Sequence, residues 1–298
     1  MQVLQTLIRF ARKPSRDKLR SVKRKVRKYL LERDSNVPRF GNDKTAYVIG
    51  LTGSGRLYIN ELILKNIGKR AKYFRDDRIR IHRGPTSMIY SGHATIKHSS
   101  LFQALPAVTS QVLEAVGSGF ADLIFVYRHP LDSLLSNWIW WRAYIRHHTF
   151  LAAISRDYKN IDNLCADLEQ NFLEFKAFAD GDPDFFAALA DRTGSSSAAS
   201  QRFLSFPEFV EETLLFLESA TLPLRLEDFM IDPFNEFSKI TKVMSVDLDS
   251  TRLRLDPPRT KAYRYLAVKE KVPQFRDYID GLDAETKRRI EKIGYPKI

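Results

Sequence analysis

Two short apolar runs, each followed by a turn and a helical pattern, restrict the fold more than any other part of the sequence. Residues 45–51 (TAYVIGL) and 123–127 (LIFVY) are rich in β-branched and aromatic side chains. Neither run alternates polar with apolar residues, which is typical of strands buried on both faces of a parallel sheet. The chain is therefore predicted to alternate strands with helices.

Weaker patterns extend this alternation along the chain. They predict an α/β fold with a mostly parallel central sheet and helices on both faces. The additional predicted strands are residues 87–90, 95–97 and 223–226, and the predicted helices are residues 56–67 and 232–244.

The positive charge is concentrated at the N-terminus. The net charge of the 298 residues is +12, and residues 1–35 contribute +9 of it, with twelve Lys or Arg against three Asp or Glu. Leu19, Val22, Val26 and Leu30 recur at spacings of three and four, which predicts a basic amphipathic helix. Such a helix suits an anionic membrane surface; the alternative is a solubilising arm that docks on its own domain.

These features predict a basic N-terminal extension over residues 1–40 and one domain, large enough for an enzyme, over residues 41–298. Residues 157–191 hold nine acids and two bases and precede a Gly/Ser/Ala-rich stretch at 194–200. We interpret residues 150–205 as a helical insertion or lid, with a solvated acidic face as the alternative.

Composition also excludes several classes. No run approaches the roughly 18 apolar residues of a membrane-spanning helix. The single cysteine, Cys165, can form neither an internal disulfide nor a thiolate metal cluster. Because the body is nearly neutral and carries no recognisable nucleic-acid module, no nucleic-acid partner is predicted. We expect a cytoplasmic protein, peripheral on the inner membrane face if the N-terminal helix binds lipid.

The first chemical signal is the glycine-rich turn after the first apolar run. From Gly50, the sequence GLTGSGRL fits G-x-x-x-x-G, but Arg56 stands where a nucleotide-binding P-loop has Lys and Leu57 where it has Ser or Thr. Backbone N–H groups of such a turn can surround a phosphate at a helix N-terminus. The pattern is P-loop-like without the hydroxyl that holds Mg²⁺; the alternative is a purely structural connection.

The second signal follows the other apolar run. Arg128 leaves the predicted carboxyl end of that strand, and Ser136 lies eight residues later in a helix that Pro130 helps to start. A guanidinium and a hydroxyl so placed can hold one phosphate. The alternative is a strand-end arginine that pairs with Asp132, beside a solvent-facing serine.

Together these two segments resemble the PAPS-dependent sulfotransferases. In that family a strand–loop–helix binds the 5′-phosphosulfate, and a later Arg with a Ser eight residues on binds the 3′-phosphate. The resemblance implies that Arg128 and Ser136 hold the 3′-phosphate and that Tyr58 packs on the adenine. The residues that it assigns to the 5′ side are Thr52, Gly53, Ser54, Gly55, Arg56, Leu57 and Tyr58.

Three further segments carry the resemblance. Residues 224–229 (LRLEDF), followed by Asp232-Pro233, resemble the family's R-Y-E-D-L…D-P segment, and residues 95–100 (TIKHSS) resemble its acceptor-site stretch. Residues 58–62 (YINEL) resemble the bacterial carbohydrate group, which includes nodulation-factor and lipopolysaccharide sulfotransferases. The chain departs from the family at Gly53, where a Lys or Arg is usual. Either Arg56 or Lys97 is expected to supply that charge.

The implied reaction is metal-independent, in-line transfer of a sulfuryl group from PAPS to a hydroxyl of a carbohydrate or glycolipid, leaving PAP. His98 is the first candidate for the general base because a neutral imidazole titrates near working pH; Glu61 and His93 are fallbacks. Arg259 and Lys261 are expected to close over the 3′-phosphate or to form an ordinary basic loop.

Two other functions remain open from the sequence. One is a nucleotide or sugar kinase of the P-loop type, which would require Mg²⁺. The other is a non-enzymatic protein that binds a membrane surface through its basic extension. The sequence leaves the oligomeric state undetermined.

Overall fold

A computed structural model describes most of the domain outside several loops. The described residues are 45–51, 53–66, 72–75, 88–92, 113–114, 116–119, 121–147, 158, 160–193, 204–244, 253–255 and 263–296. The predicted N-terminal extension and the predicted strand at 95–97 lie outside these residues.

Within the described residues, five strands form one sheet in the order β2-β3-β1-β4-β5, and every neighbouring pair is parallel. This confirms the predicted α/β fold with a parallel central sheet. The strands are β1 (Thr45–Ile49), β2 (Lys72–Arg75), β3 (Met88–Gly92), β4 (Ala121–Tyr127) and β5 (Leu222–Arg225).

The two apolar runs become the central strands β1 and β4. Ile49 of β1 lies opposite Phe125 of β4, and Tyr127 lies opposite Arg225 of β5. Parallel strands in this register end at the same edge of the sheet. The chain segments that follow β1, β4 and β5 are therefore neighbours.

Helices follow or connect the strands. Within the described residues they include α1 (Arg56–Asn66), α2 (Pro130–His147), α3 (Ile161–Gln170), α4 (Phe172–Ala179), α5 (Pro183–Thr193), α6 (Phe206–Ser219), α7 (Leu226–Ile231), α8 (Pro233–Val243), α9 (Arg264–Lys271), α10 (Pro273–Asp280) and α11 (Ala284–Lys292).

Alternate residues of the central strands enter two separate hydrophobic cores. Tyr47 and Phe125 join the larger core, which contains buried residues of α2, α3, α4 and the C-terminal helices. Val48 and Val126 join the smaller core with residues of α1 and α8. Because each face of the sheet is covered by helices, the domain has three layers.

The acidic segment between α2 and α6 forms three helices that pack into the larger core through Leu168, Phe175 and Phe186, among others. Of its carboxylates whose side chains the structure describes, four are exposed, but Asp167 is buried: Arg142 donates two hydrogen bonds to it, from Nε at 3.2 Å and Nη2 at 3.1 Å. Arg142 also pairs with Glu174 at 2.9 Å. This ion-pair cluster fastens α3 and α4 to α2.

The C-terminal helices α9, α10 and α11 have no counterpart among the predicted elements. They return to the main body, where Tyr265, Phe275 and Tyr295 are buried in the larger core. This packing covers the ends of β4 and β5.

In the part of the chain that the structure describes, no helix combines the length and the apolar composition that crossing a membrane requires.

The Arg142 cluster allows a direct test of how burial affects the contribution of an ion pair to stability. We expect Asp167→Ala to lower the free energy of unfolding by about 3 kcal/mol, because it leaves the buried guanidinium without its bidentate partner. Glu174→Ala should cost less than about 1 kcal/mol, since the Glu174 side chain is 43% exposed. Chemical denaturation of the two variants measures the difference; equal losses would contradict it.

Candidate functional site

The candidate site lies where the segments after β1, β4 and β5 meet. These three strands are adjacent and parallel, so their carboxyl ends share one edge of the sheet. Ligands of open α/β sheets bind at this edge. The turn before α1, the start of α2 and the start of α7 all lie there.

The turn after β1 is tight because two of its residues are glycines with positive φ. Gly53 has φ 79° and Gly55 has φ 88°, which other residues rarely adopt. The N–H of Ser54 donates to the carbonyl of Leu51 at 3.1 Å, and the N–H of Tyr58 donates to the carbonyl of Gly55 at 2.9 Å. The turn thus leads directly into α1 and presents the N–H end of that helix at the sheet edge.

The glycines also allow the turn to touch the neighbouring segments. A Cβ on Gly53 would lie 2.7 Å from the carbonyl oxygen of Ser133 in the first turn of α2. A Cβ on Gly55 would lie 2.5 Å from Cδ2 of Leu226, the first residue of α7. Three of the segments at this edge are therefore in backbone or side-chain contact.

Arg128 is held by both of the partners that the sequence offered as alternatives. Its Nη1 donates to Ser136 Oγ at 3.0 Å, and its Nη2 lies 3.1 Å from Asp132 Oδ2. The Arg128 and Asp132 side chains are 3% and 0% exposed. Ser133, which Gly53 approaches closely, lies between Asp132 and Ser136 on α2. The Arg128–Ser136 pair is therefore next to the glycine turn.

A second arginine near Arg128 was not among the predicted site residues. Asp132 Oδ1 accepts a hydrogen bond from the N–H of Tyr265 at 2.9 Å, which places Arg264 at the same point of the fold. Burial lowers the pKa of Arg264, and the charge of Arg128 lowers it further while Asp132 opposes the change. The only sequence signal for Arg264 is its position three residues after Lys261 in a basic stretch.

His129 and Glu227 form a second buried cluster. The N–H of His129 and the hydroxyl of Tyr295 each donate to a carboxylate oxygen of Glu227 at 3.0 Å. The His129 ring stacks on Tyr265 with centroids 4.0 Å apart. Burial, followed by the charges of Arg128 and Arg225, lowers the pKa of His129 to about 3. This histidine is therefore neutral and fully buried.

The connection into α9 contains a strained residue. Tyr263 has φ 54° and ψ 34°, the left-handed conformation that disfavours residues with a Cβ. Arg225 Nη2 donates to the Tyr263 hydroxyl at 2.8 Å, and its guanidinium lies 4.4 Å from the centroid of the Tyr295 ring. Arg225, at the end of β5, thus holds the C-terminal segment in place.

The other predicted residues on α1 are less accessible than expected. The Arg56 side chain is 4% exposed, and its N–H donates to Ser54 Oγ at 3.4 Å. The half-buried Tyr58 ring meets Phe229 edge-on, with centroids 6.2 Å apart. Glu61 is exposed on the same helix.

Several predicted site residues cannot be placed. Lying outside the described residues are Thr52, His93, Lys97, His98, Arg259 and Lys261. Leu57 is in α1, where only its backbone is described. Within the described ranges, no group of three His, Cys, Asp or Glu side chains is arranged to hold a metal ion.

No protein-family model and no curated protein matches the sequence. Solved structures that resemble the fold include mouse sulfotransferase SULT7A1 complexed with PAP, with 14% identity and a TM-score of 0.40. The alignment covers 86% of this chain and 84% of that one. Because both the identity and the TM-score are low, we base the function on the geometry of the site.

The glycine turn generates a stability prediction. Gly53→Ala should lower the free energy of unfolding by about 2 kcal/mol or more, because the new Cβ combines left-handed strain with contact against the Ser133 backbone. Gly119→Ala is the matched control: it has φ 73° but open space around the Cβ position, so only about 1 kcal/mol of strain is expected. Equal losses in denaturant titrations would show that the contact with α2 is unimportant.

His129 generates a prediction of pH dependence. Its pKa in the folded state lies below the 6.5 of the unfolded chain, so protons bind first to unfolded molecules as pH falls. The free energy that the neutral histidine contributes to stability is complete above pH 6.5 and is lost as the pH falls toward 3. The loss between pH 7 and pH 4 is up to about 3 kcal/mol. The difference in unfolding free energy between wild type and His129→Gln should therefore be smaller at pH 4 than at pH 7. The same difference at both pH values would exclude this role.

Proposed function

We propose that the chain is a PAPS-dependent sulfotransferase. The observation that carries the proposal is the contact between the Gly53 turn and the first turn of α2, next to the Arg128–Ser136 pair. Two anion-binding elements of different type lie side by side at one sheet edge. A nucleotide with a phosphate at each end of its ribose is a ligand that such a pair suits.

The residues present fit such a nucleotide on both sides. On the 5′ side, the turn at Gly53 and Gly55 brings the N-terminus of α1 to the sheet edge, where backbone N–H groups can meet a phosphate with no side chain at the glycines to obstruct it. On the 3′ side, the half-buried Ser136 hydroxyl offers a donor, and the Arg128 guanidinium, whose side chain is 3% exposed and which already pairs with Ser136 and Asp132, adds positive charge next to it. Arg264 immediately precedes Tyr265, whose N–H donates to Asp132, and so adds a second positive charge near this pair.

Arg56 fits its proposed role less well, since almost none of its side chain is exposed. Its charge would act on a 5′-phosphate from beneath the turn rather than by direct contact. Lys97 then remains the candidate for the cation that contacts the transferring group.

Bound PAPS would supply an activated sulfuryl group, which an acceptor hydroxyl takes by in-line attack as the bond to the 5′-phosphate breaks and PAP departs. The protein's task is to position both reactants and to stabilise charge on the transferring oxygens. A base must also take the hydroxyl proton, and His98 is the proposed base, with Glu61 and His93 as fallbacks. His129 is unsuited to it, because its ring is fully buried and Nδ1 accepts from the N–H of Leu131 at 3.2 Å.

We propose a carbohydrate or glycolipid as the acceptor. The support is the resemblance of residues 58–62 and 95–100 to the bacterial carbohydrate group, together with the basic extension. An extension that binds an anionic membrane surface would bring the enzyme to a lipid-linked acceptor on the cytoplasmic face. No nucleic-acid partner is proposed.

Nucleotide binding tests the 3′ side of the site. Arg128→Lys keeps a positive charge beside Asp132 but loses the planar fork, so we expect PAP to bind at least about tenfold more weakly in calorimetry. Ser136→Ala should weaken binding less, by the loss of one hydrogen bond. Arg276→Lys, on the exposed face of α10, is the matched control and should bind PAP like wild type. Unchanged affinity in Arg128→Lys would refute the proposed clamp.

Activity separates the proposal from its rivals. Transfer of label from PAPS to total cell glycolipid, without added Mg²⁺, is expected of the full chain. A kinase would instead act on ATP–Mg²⁺ and ignore PAPS, which Leu57 at the usual Ser/Thr position argues against. If the protein only binds membranes, deleting residues 1–35 should remove all function; transfer to a soluble acceptor by the shortened chain would exclude that possibility.

A further inference from the structure

Asp132 is a buried carboxylate that contacts Arg128 and the backbone at the start of α9. Its side chain is fully buried, Oδ2 lies 3.1 Å from Arg128 Nη2, and Oδ1 accepts from the N–H of Tyr265 at 2.9 Å. Arg264 immediately precedes Tyr265, so the same carboxylate holds one arginine directly and fastens the segment that carries the other.

The contact between Asp132 and Arg128 is mainly a charge contact. Among the described residues, Asp132 Oδ2 has no well-aligned hydrogen-bond donor, although it lies beside the guanidinium. The Arg128 guanidinium also donates from Nη1 to Ser136. Aligned, charge-assisted hydrogen bonds to an anion are stronger than a contact of this type.

The charges at this point do not cancel. Arg128 and Arg264 contribute two positive charges, and Asp132 contributes one negative charge. Without a counter-ion, the buried Arg128 guanidinium and the half-buried Arg264 would destabilise the protein, because like charges in a partly desolvated region repel. A phosphate dianion would meet favourable charge from both arginines but repulsion from the carboxylate.

We propose that Asp132 is a positioning residue that serves as the counter-ion of the two arginines while no phosphate is bound. It keeps Arg128 and the start of α9 in place, and it weakens binding of the 3′-phosphate enough for the nucleotide product to leave. The inference rests on the proposed function and adds to it a residue that acts on the ligand through Arg128.

Asp132→Asn separates charge from shape. Asparagine retains an oxygen for the N–H of Tyr265 but removes the negative charge. We expect about tenfold tighter binding of PAP in calorimetry, together with a lower unfolding temperature of the ligand-free protein. Binding of adenosine 5′-monophosphate, which lacks the 3′-phosphate, should be unchanged.

Asp167→Asn is the matched control, since Asp167 on α3 is also a buried partner of an arginine, at 3.1 Å from Arg142. It should lower the unfolding temperature without changing the affinity for PAP. A purely structural role for Asp132 predicts unchanged or weaker PAP binding in Asp132→Asn, and either result would overturn the inference.

The remaining outcomes are also decisive. If wild type binds PAP and Asp132→Asn gains nothing, this inference fails and the proposed function stands; if wild type does not bind PAP, both fail. Should Asp132→Asn be too unstable to titrate, PAP should raise its unfolding temperature by more than it raises that of wild type. An equal or smaller rise would overturn the inference.

Discussion

The spacing of the site depends on a backbone contact. Gly53 lies so close to the carbonyl of Ser133 that no side chain fits between them. That contact fixes the distance from the β1–α1 turn to the start of α2, and with it the separation of the two proposed phosphate-binding elements. The glycines of the turn are therefore required as much by the neighbouring helix as by any phosphate.

The features that are local in sequence could be predicted, and those that depend on distant partners could not. The apolar runs at β1 and β4, the glycine turn and the Arg128–Ser136 spacing are all contained within stretches of about twenty residues, so pattern alone identifies them. The strand β2, with only four residues and charges at both ends, carries too weak a pattern. The contact of Asp132 with Tyr265 joins residues 133 positions apart, which no periodicity indicates.

Two buried carboxylates attach the C-terminal helices to the strand ends. Asp132 accepts from the backbone of Tyr265, and Glu227 accepts from the hydroxyl of Tyr295. Each also has an arginine close by, Arg128 in one case and Arg225 in the other. Buried carboxylates are costly unless such partners are present, so these attachments and the arginines at the sheet edge depend on one another.

The strand order has a consequence for how the chain folds. Every pair of neighbouring strands is parallel, and Ile124 of β4 pairs with Leu222 of β5, 98 positions later. Because such pairings require the closure of long loops before they gain any contacts, topologies of this type fold slowly. The edge at which β1, β4 and β5 end is built only from these long-range pairings, so we expect it to be among the last regions to form as the chain leaves the ribosome.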